Sequence, residues 1–328
     1  MSHPTVWSAA VRGQAKVNAV DLIWRPLTLH DVAAATELNN TVALADGTGA
    51  VVTQDALAES FKQPRFDPAT DTMSVWKGAD LIGVGAVSSR ETLVEGKALM
   101  GTHGHIHPAH RRQGLGTQLL TWLQERALAL AAERFPGEPV RLRTSGGPAD
   151  SPTQRLLEAF GFTPDNYFLT MEVDLASWTD PGTVTRAVAP DAAMQAATRE
   201  AHNDSFRDHR NHSEISASDW EHFATMSTVR PHLSRVILDG DRVLAYAIAG
   251  EYQPGVVHIN LVGTRREVRG QGLAKDVLIS ALRAARDAGY RVSELEVDST
   301  SPTGADHLYR SVGYRQVRVI SRYIRDVG

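Results

Sequence analysis

Two short glycine turns offer the clearest chemistry in the chain: Arg111-Arg112-Gln113-Gly114-Leu115-Gly116, followed by Thr117, and Arg269-Gly270-Gln271-Gly272-Leu273-Ala274, followed by Lys275. Each stands between a strand-like run and a helical pattern. Glycine lets the backbone approach a ligand and adopt unusual dihedrals. The first amides of the following helix have no internal partner and point outward, and the helix dipole adds positive potential. Such a turn suits a pyrophosphate, and Arg111, Arg112, Arg269 and Lys275 add charge nearby. A tight turn with no ligand is the plainer reading. A nucleotide-type P-loop needs Gly-Lys-Ser/Thr, which neither turn has. A dinucleotide fold places its glycines after the first strand, whereas here several strands come first. Two further clusters draw notice. His103, His105 and His107 alternate, so one strand face would carry three imidazoles, as a polar lining or a metal set. No carboxylate completes a recognisable spacing, and no metal is expected. The stretch from His202 to Glu214 holds Phe206, Arg207, Asp208, His209, Arg210 and His212, which fits either a small polar pocket or a solvated loop.

The elements around these residues repeat. Trp24-Arg25-Pro26-Leu27 through Asp31 matches Thr185-Arg186-Ala187-Val188 through Asp191 at an offset of 160–161. Asp80 to Val84 matches Asp241 to Ala245 at 161, and the two glycine turns match at 158. Phe160-Gly161-Phe162 matches Val312-Gly313-Tyr314 at 152. Order and spacing persist along the chain, which is the mark of internal duplication. Each half reads as an opening strand, a helix with Asp31 or Asp191 near its start, an irregular stretch, and a hairpin. The hairpins are Met73 to Trp76 with Leu81 to Val87, and Arg235 to Leu238 with Val243 to Ala249. A strand then leads to the glycine turn. A long helix follows, with Leu273, Val277, Leu278, Ala281, Leu282 and Ala285 at helical spacing and Gly289 at its end. A strand from Glu294 to Val297, a short helix to Tyr309 and a last strand close the unit. The fold class is therefore α/β (α+β): two tandem domains, each a mixed, largely antiparallel sheet flanked by helices. Residues 1–20 form a tail or arm, 21–178 the N-terminal domain and 183–328 the C-terminal one, meeting near Trp178-Thr179-Asp180-Pro181-Gly182.

Composition sets the outer limits. A formal net charge of −4 supplies no basic excess for nucleic acid. With no cysteine, disulfides, thiolate metal sites and a covalent cysteine mechanism are excluded. Met1 to Gly13 lacks the apolar core of a signal peptide, and no apolar run reaches the ~18 residues of a membrane span. A cytoplasmic protein with no membrane partner is expected, as a monomer (an internal pseudo-dimer) or a homodimer.

Both glycine turns, together with Leu308-Tyr309-Arg310-Ser311-Val312-Gly313-Tyr314, resemble the signature and closing motif of the GCN5-related N-acetyltransferases. The resemblance spans essentially the whole chain as a tandem pair, similar to the mycothiol synthase-like branch of that family. It implies acetyl-CoA as co-substrate, held at Arg269 to Ala274 and at Arg111 to Thr117. It also implies a pantetheine arm lying between two splayed strands, and direct attack of an amine on the thioester in a ternary complex. Such chemistry needs a base, an oxyanion donor and an acid for the leaving thiolate. By the resemblance, the donor is a backbone amide near Leu261 and Val262. The acid is the tyrosine four residues before the closing glycine: Tyr309 in the C-terminal half, but Leu157 in the N-terminal half, which cannot donate a proton. Catalysis is thus expected in the C-terminal half. The branch's basic glutamate, 11 residues ahead of the turn, falls on His258 here. Glu251 and Glu296 are the carboxylate alternatives, and Met100 holds the matching N-terminal position. Strand alternation would put His258, Asn260 and Val262 on one face. The region of Phe206, Asp208 and His209 would cover the acceptor. Asp298 with Ser299, Thr300 and Ser301 would reach the acceptor or the pantetheine. The expected activity is N-acetylation of a small-molecule amine. Peptide or protein N-acetylation, or a non-catalytic acyl-CoA sensor, are the rivals.

Overall fold

The computed structural model describes residues 22–148, 150–209, 213–300 and 304–328. The expected N-terminal tail lies outside them, as do Arg210, His212 and Ser301. The N-terminal half runs β1 (Leu22–Arg25), α1 (Val32–Ala45), α2 (Gln54–Ser60), α3 (Pro68–Asp71), β2 (Thr72–Lys77), β3 (Asp80–Ser89), β4 (Ala98–Ile106), α4 (Leu115–Arg134), β5 (Val140–Gly147), α5 (Pro152–Ala159) and β6 (Thr163–Asp174). The C-terminal half runs α6 (Gln195–Phe206), α7 (Ala217–Thr225), β7 (Arg235–Asp239), β8 (Arg242–Gln253), β9 (Val256–Thr264), α8 (Leu273–Asp287), β10 (Val292–Asp298), α9 (Ala305–Val312) and β11 (Arg315–Val327). The expected mixed, largely antiparallel sheet with flanking helices is present. The opening strand expected at Thr185 is not: a single bridge, Val188 to Val236, stands in its place. No helix among the described residues is long and apolar enough to cross a membrane.

The apolar spacing of α8 becomes burial. Leu273, Val277, Leu278, Ala281, Leu282 and Ala285 all join one core with Val257, Ile259, Leu295 and Val297 of β9 and β10. In the N-terminal half, α4 lays Leu119, Leu120, Leu123, Ala127, Leu130 and Ala131 on β4 and β5 in the same way. The hairpin β2–β3 turns at Gly78, which sits at φ +61, a conformation glycine takes at no steric cost.

The two sheets are one. The eleven strands of the described residues join in the order β1-β2-β3-β4-β5-β11-β6-β10-β9-β8-β7. The last strand of each half is therefore exchanged. β11 pairs with β5 of the N-terminal half, from Ser321 opposite Gly147 to Val327 opposite Val140. β6 pairs with β10 of the C-terminal half, from Asp174 opposite Val292 to Phe168 opposite Asp298. The cores record the same exchange. Tyr323 of β11 is buried with α4, while Met171 and Val173 of β6 are buried with α8. At the edge, Arg141 of β5 and Lys97 both bind Asp326 of β11. The segment joining the halves is fastened rather than loose. The Trp178 indole donates to the Val312 carbonyl at 2.8 Å, and Asp180 pairs with Arg283.

Candidate active site

The site begins where β9 and β10 part. Their parallel pairing covers only Val256 to His258 against Val292 to Glu294. Beyond that point the strands diverge, and Ile259 to Thr264 face Glu296 to Asp298 across an open slot. A bulge marks the divergence. Ile248 pairs with Leu261 and Ala249 with Ile259, so Asn260 is the extra residue. Such a residue leaves a ladder position unpaired and kinks the strand. It also inverts the alternation: Ile259 packs with α8, whereas Leu261, two residues on, packs in the α6 cluster. Gly250 makes room for this, because a Cβ there would meet the Asn260 side chain at 2.6 Å. In the N-terminal half, β3 and β4 pair from Gly83–Ile106 to Ser89–Met100 with no shift. The bulge distinguishes the halves.

The glycine turn closes one end of the slot. Gly270 and Gly272 take φ of +77 and +80, and Gly272 starts α8 with no side-chain cap. The first amides of α8 are left facing the cavity that Leu273, Ala274 and Lys275 line. The N-terminal turn keeps this geometry, with Arg112 at φ +63 and Gly114 at +82. Holding a non-glycine residue there costs on the order of 1 kcal/mol. The leading arginine of each turn serves as a pin. Asp46, beyond α1, grips Arg111 bidentately at 2.7 and 2.9 Å. Asp208, beyond α6, binds Arg269 at 3.0 Å, and Arg269 also donates to the Ser205 carbonyl.

The slot opens into a cavity of about 1160 Å³. One wall is α6 and its continuation. His202 stacks on Phe206 at 4.6 Å, and Phe206 on His209 at 4.6 Å. Tyr246 meets His202 Nδ1 at 2.8 Å beneath them. The facing wall comes from the N-terminal half: Arg65, Arg90, Arg143, Asn166 and Phe168 all line the cavity. Arg65 crosses to Asp219 of α7 at 2.6 Å, fixing the two walls to each other. Asn166 donates to Asp298 at 2.8 Å.

Tyr309 sits where slot and cavity meet. Its ring is buried at the edge of the α8 core and packs edge-to-face on Tyr314 at 6.0 Å. Tyr314 is held in turn by Ser293 at 2.7 Å. Burial pushes the Tyr309 phenol up to about 12, so it stays protonated at any physiological pH. The matching Leu157 is buried in the α4 core beside Phe162.

Of the sequence-nominated residues, the cavity gathers Leu261, Val262, Arg269, Gly270, Gly272, Leu273, Ala274, Phe206, His209, Glu296 and Tyr309. Gln271 is not among the lining residues. Neither is any residue of the N-terminal turn, Arg111, Arg112, Gln113, Gly114, Leu115, Gly116 or Thr117. Leu115 instead packs with Val75 and Ile82. Three further nominated residues lie outside the lining. His258 lies at the paired end of β9, with its Nδ1 3.3 Å from Glu294, outside the lining. Here β9 is still paired with β10, His258 standing opposite Glu294, and the slot opens only beyond this pair. Glu251 is taken up by Arg230 and Tyr290, at 3.0 and 2.7 Å. Asp208 faces Arg269 and Arg266 rather than the cavity. As for the histidines, His107 turns back to accept from the Ala109 amide. Among the described residues, no group of three His, Cys, Asp or Glu could hold a metal. Sequence reasoning placed His202 at the edge of the candidate pocket stretch without a role of its own, and passed over the whole N-terminal wall. A histidine one helical turn before Phe206 was the available signal for the first. Nothing local signalled the second.

The arrangement matches known proteins. Mycothiol acetyltransferase of Corynebacterium glutamicum is 23% identical over 281 residues, covering 79% of this chain and 84% of that one. The crystal structure of a GCN5-related N-acetyltransferase from Sphaerobacter thermophilus superposes with a TM-score of 0.74 at 22% identity, over 93% of this chain and 95% of that one. A tandem GNAT protein from the clavulanic acid biosynthesis pathway gives 0.66 at 17% identity, over 94% and 99%. The model of the acetyltransferase (GNAT) family matches twice, at residues 41–162 and 196–314. The chain belongs to the acetyltransferase (GNAT) family, as a tandem member that carries the fold once in each half.

Proposed function

We propose that the protein is an acetyl-CoA-dependent N-acetyltransferase for a small-molecule amine, with its chemistry in the C-terminal half. The observation that carries this is the cavity. Among the described residues, it is there that a strand bulge, an open slot, the first amides of a helix and a protonated tyrosine meet. Its volume exceeds the roughly 300–1,000 Å³ of a one-ligand pocket, which suits two substrates held together. The α8 amides and Lys275 hold the pyrophosphate. The co-substrate supplies the acyl thioester, lying between β9 and β10. A backbone amide at the bulge, near Leu261, donates to the carbonyl oxygen as negative charge develops there. Glu296 takes a proton from the acceptor ammonium, directly or through water. The nitrogen then forms a bond to the carbonyl carbon and gives up its second proton to solvent, the carbon–sulfur bond breaks, and Tyr309 gives its proton to the departing sulfur. The proton taken by Glu296 leaves to solvent, and Tyr309 is reprotonated from solvent.

The walled shape favours a small acceptor over a protein, because both halves and α7 enclose the acceptor end. Thiol release from acetyl-CoA, measured across a panel of small amines and short peptides, tests the reading. Turnover with a small amine, and loss of it in Glu296→Gln, are expected. Turnover with peptides alone would favour the protein-directed alternative. Tight CoA binding with no thiol release for any amine would make the protein a sensor.

A further inference from the structure

The cavity wall built from the N-terminal half and the exchanged strand β11 carries Arg65, Arg90, Arg143 and Arg322 against Glu91 and Asp165, a cationic excess the transfer chemistry does not require. Arg90 follows β3, Arg143 stands on β5 and Arg322 on β11, and all three line the cavity. Elsewhere in the protein, Arg25, Arg111, Arg126, Arg141 and Arg283 are each tied to a carboxylate. Among the described residues, the guanidinium groups of Arg90, Arg143 and Arg322 have no hydrogen-bond or ion-pair partner. The Arg322 guanidinium carbon lies over the Phe168 ring, 4.6 Å from its centroid, a contact that holds the side chain in place. Burial and the neighbouring Arg90 and Arg322 charges lower Arg143 to about 10, while Asp165 offsets part of this. His103 beside them is held down to about 4, chiefly by burial, so it stays neutral and does not add to the charge. Three crowded cations without a paired carboxylate are unfavourable until an anion arrives, and planar guanidinium groups match carboxylate and phosphate geometry. None of the three touches the glycine turn, so the pyrophosphate there does not satisfy them.

We propose that Arg90, Arg143 and Arg322 form an anion subsite for the acceptor, which is therefore an amine that also bears a carboxylate or phosphate group. Glu296 of β10 stands opposite Thr170 of β6, and Arg322 of β11 opposite Asn166, so two strand spacings and four residues of rise put the nitrogen and the anionic group on the order of 15 Å apart. This rests on the transferase reading above. It gives the N-terminal half a role in specificity, in a reaction carried out by the other half.

The test uses full-length protein saturated with CoA, so that the glycine turn is filled. Inorganic phosphate and acetate are titrated at constant ionic strength, for wild type and for Arg143→Gln/Arg322→Gln. Wild type should bind at least one of them at least tenfold more tightly than the double variant, with CoA affinity unchanged within twofold. A preference for phosphate assigns a phosphorylated acceptor, and a preference for acetate a carboxylate. Equal binding by both proteins, or none by either, overturns the subsite. Acetylation is then compared for amines ending in an anion and for their neutral amides. Wild type should favour the anionic member at least tenfold in kcat/KM, and the double variant should lose that preference. If the anions bind as expected but no amine is acetylated, the transferase reading fails and the acceptor assignment fails with it. If only neutral amines are acetylated, the subsite assignment alone is wrong.

Discussion

Replacing Tyr309 by phenylalanine isolates one oxygen atom. The ring would keep its edge-to-face contact with Tyr314 and its place in the α8 core. The hydroxyl has no hydrogen-bond partner among the described residues, so its removal should change stability by no more than about 0.5 kcal/mol. Turnover is another matter. The phenol is held up to about 12, so in wild type it carries its proton at every pH at which turnover would be assayed. Losing a positioned general acid lowers a rate by roughly 10²–10⁴-fold, about 3–5 kcal/mol of barrier. Thiol release followed with a chromogenic disulfide should fall by that factor. The Kd for acetyl-CoA, from calorimetry, should stay within twofold. The raised pKa adds a second expectation. Because the neutral form persists up to about 12, no alkaline loss of wild-type turnover between pH 7 and 10 should trace to this residue. The residual rate of Tyr309→Phe should keep the wild-type profile over that range. Turnover within twofold of wild type would refute the acid role. So would a loss of acetyl-CoA affinity as large as the loss of turnover, because that would make Tyr309 a binding residue. Leu157→Tyr completes the pair. It should create no second activity, because the N-terminal half lacks the strand bulge as well as the phenol.

Other perturbations reach further parts of the structure. Gly263→Ala would drive a Cβ into the Tyr246 ring and should destabilise by about 1–3 kcal/mol, read as a lower thermal midpoint. An unchanged midpoint would mean that the Tyr246 ring has room to move. The Asp31 carboxyl is held down to about 2, first by its hydrogen bonds from Arg25. A carboxyl lowered in the folded state stabilises above its unfolded pKa near 4, and that contribution is lost as pH falls towards 2. Asp31→Asn should therefore melt below wild type at pH 7, with the gap closing between pH 4 and 2; a gap constant with pH would deny the ion pair its role. A chain ending at Tyr314 lacks β11 and should lose amide protection in β5, although the N-terminal half is intact in sequence. Full protection of β5 in that truncation would contradict the exchanged pairing.

Much of this architecture can be read locally. The hairpin expected at Arg235 to Leu238 and Val243 to Ala249 is β7–β8, merely longer at its end. The helix read from Leu273 to Gly289 is α8, and Gly289 lies at φ +85 just past its end. Periodicity and glycine conformation are properties of a few neighbouring residues, and they survive into the fold. The features that were not legible depend on residues far apart. The alternating pattern of β11 is the same whichever strand lies beside it, so its pairing with β5 leaves no local trace. The bulge at Asn260 adds one residue to one strand, and a count along the chain passes over it. His258 lies where β9 is still paired with β10, before the slot opens, whereas Glu296 lines the cavity. The arginines of the acceptor wall are invisible for the same reason as the strand exchange. Arg90, Arg143 and Arg322 are brought together by sheet order, not by spacing.

The exchanged strands also bear on how the chain can be made. During synthesis β5 emerges with one edge bare, and its partner β11 begins at Arg315, well over a hundred residues later. At ~5–20 residues per second the ribosome needs on the order of ten to thirty seconds to cover that interval. Throughout it, the N-terminal half holds an open strand edge that invites pairing with other chains. Only β6 is available to close it, in the arrangement a single unduplicated domain would adopt. The nascent chain therefore meets a choice between a provisional closure by its own strand and the final one by its twin's. From such a provisional closure, β6 would have to give way to β11, so a strand translated more than a hundred residues later completes the sheet of the first half.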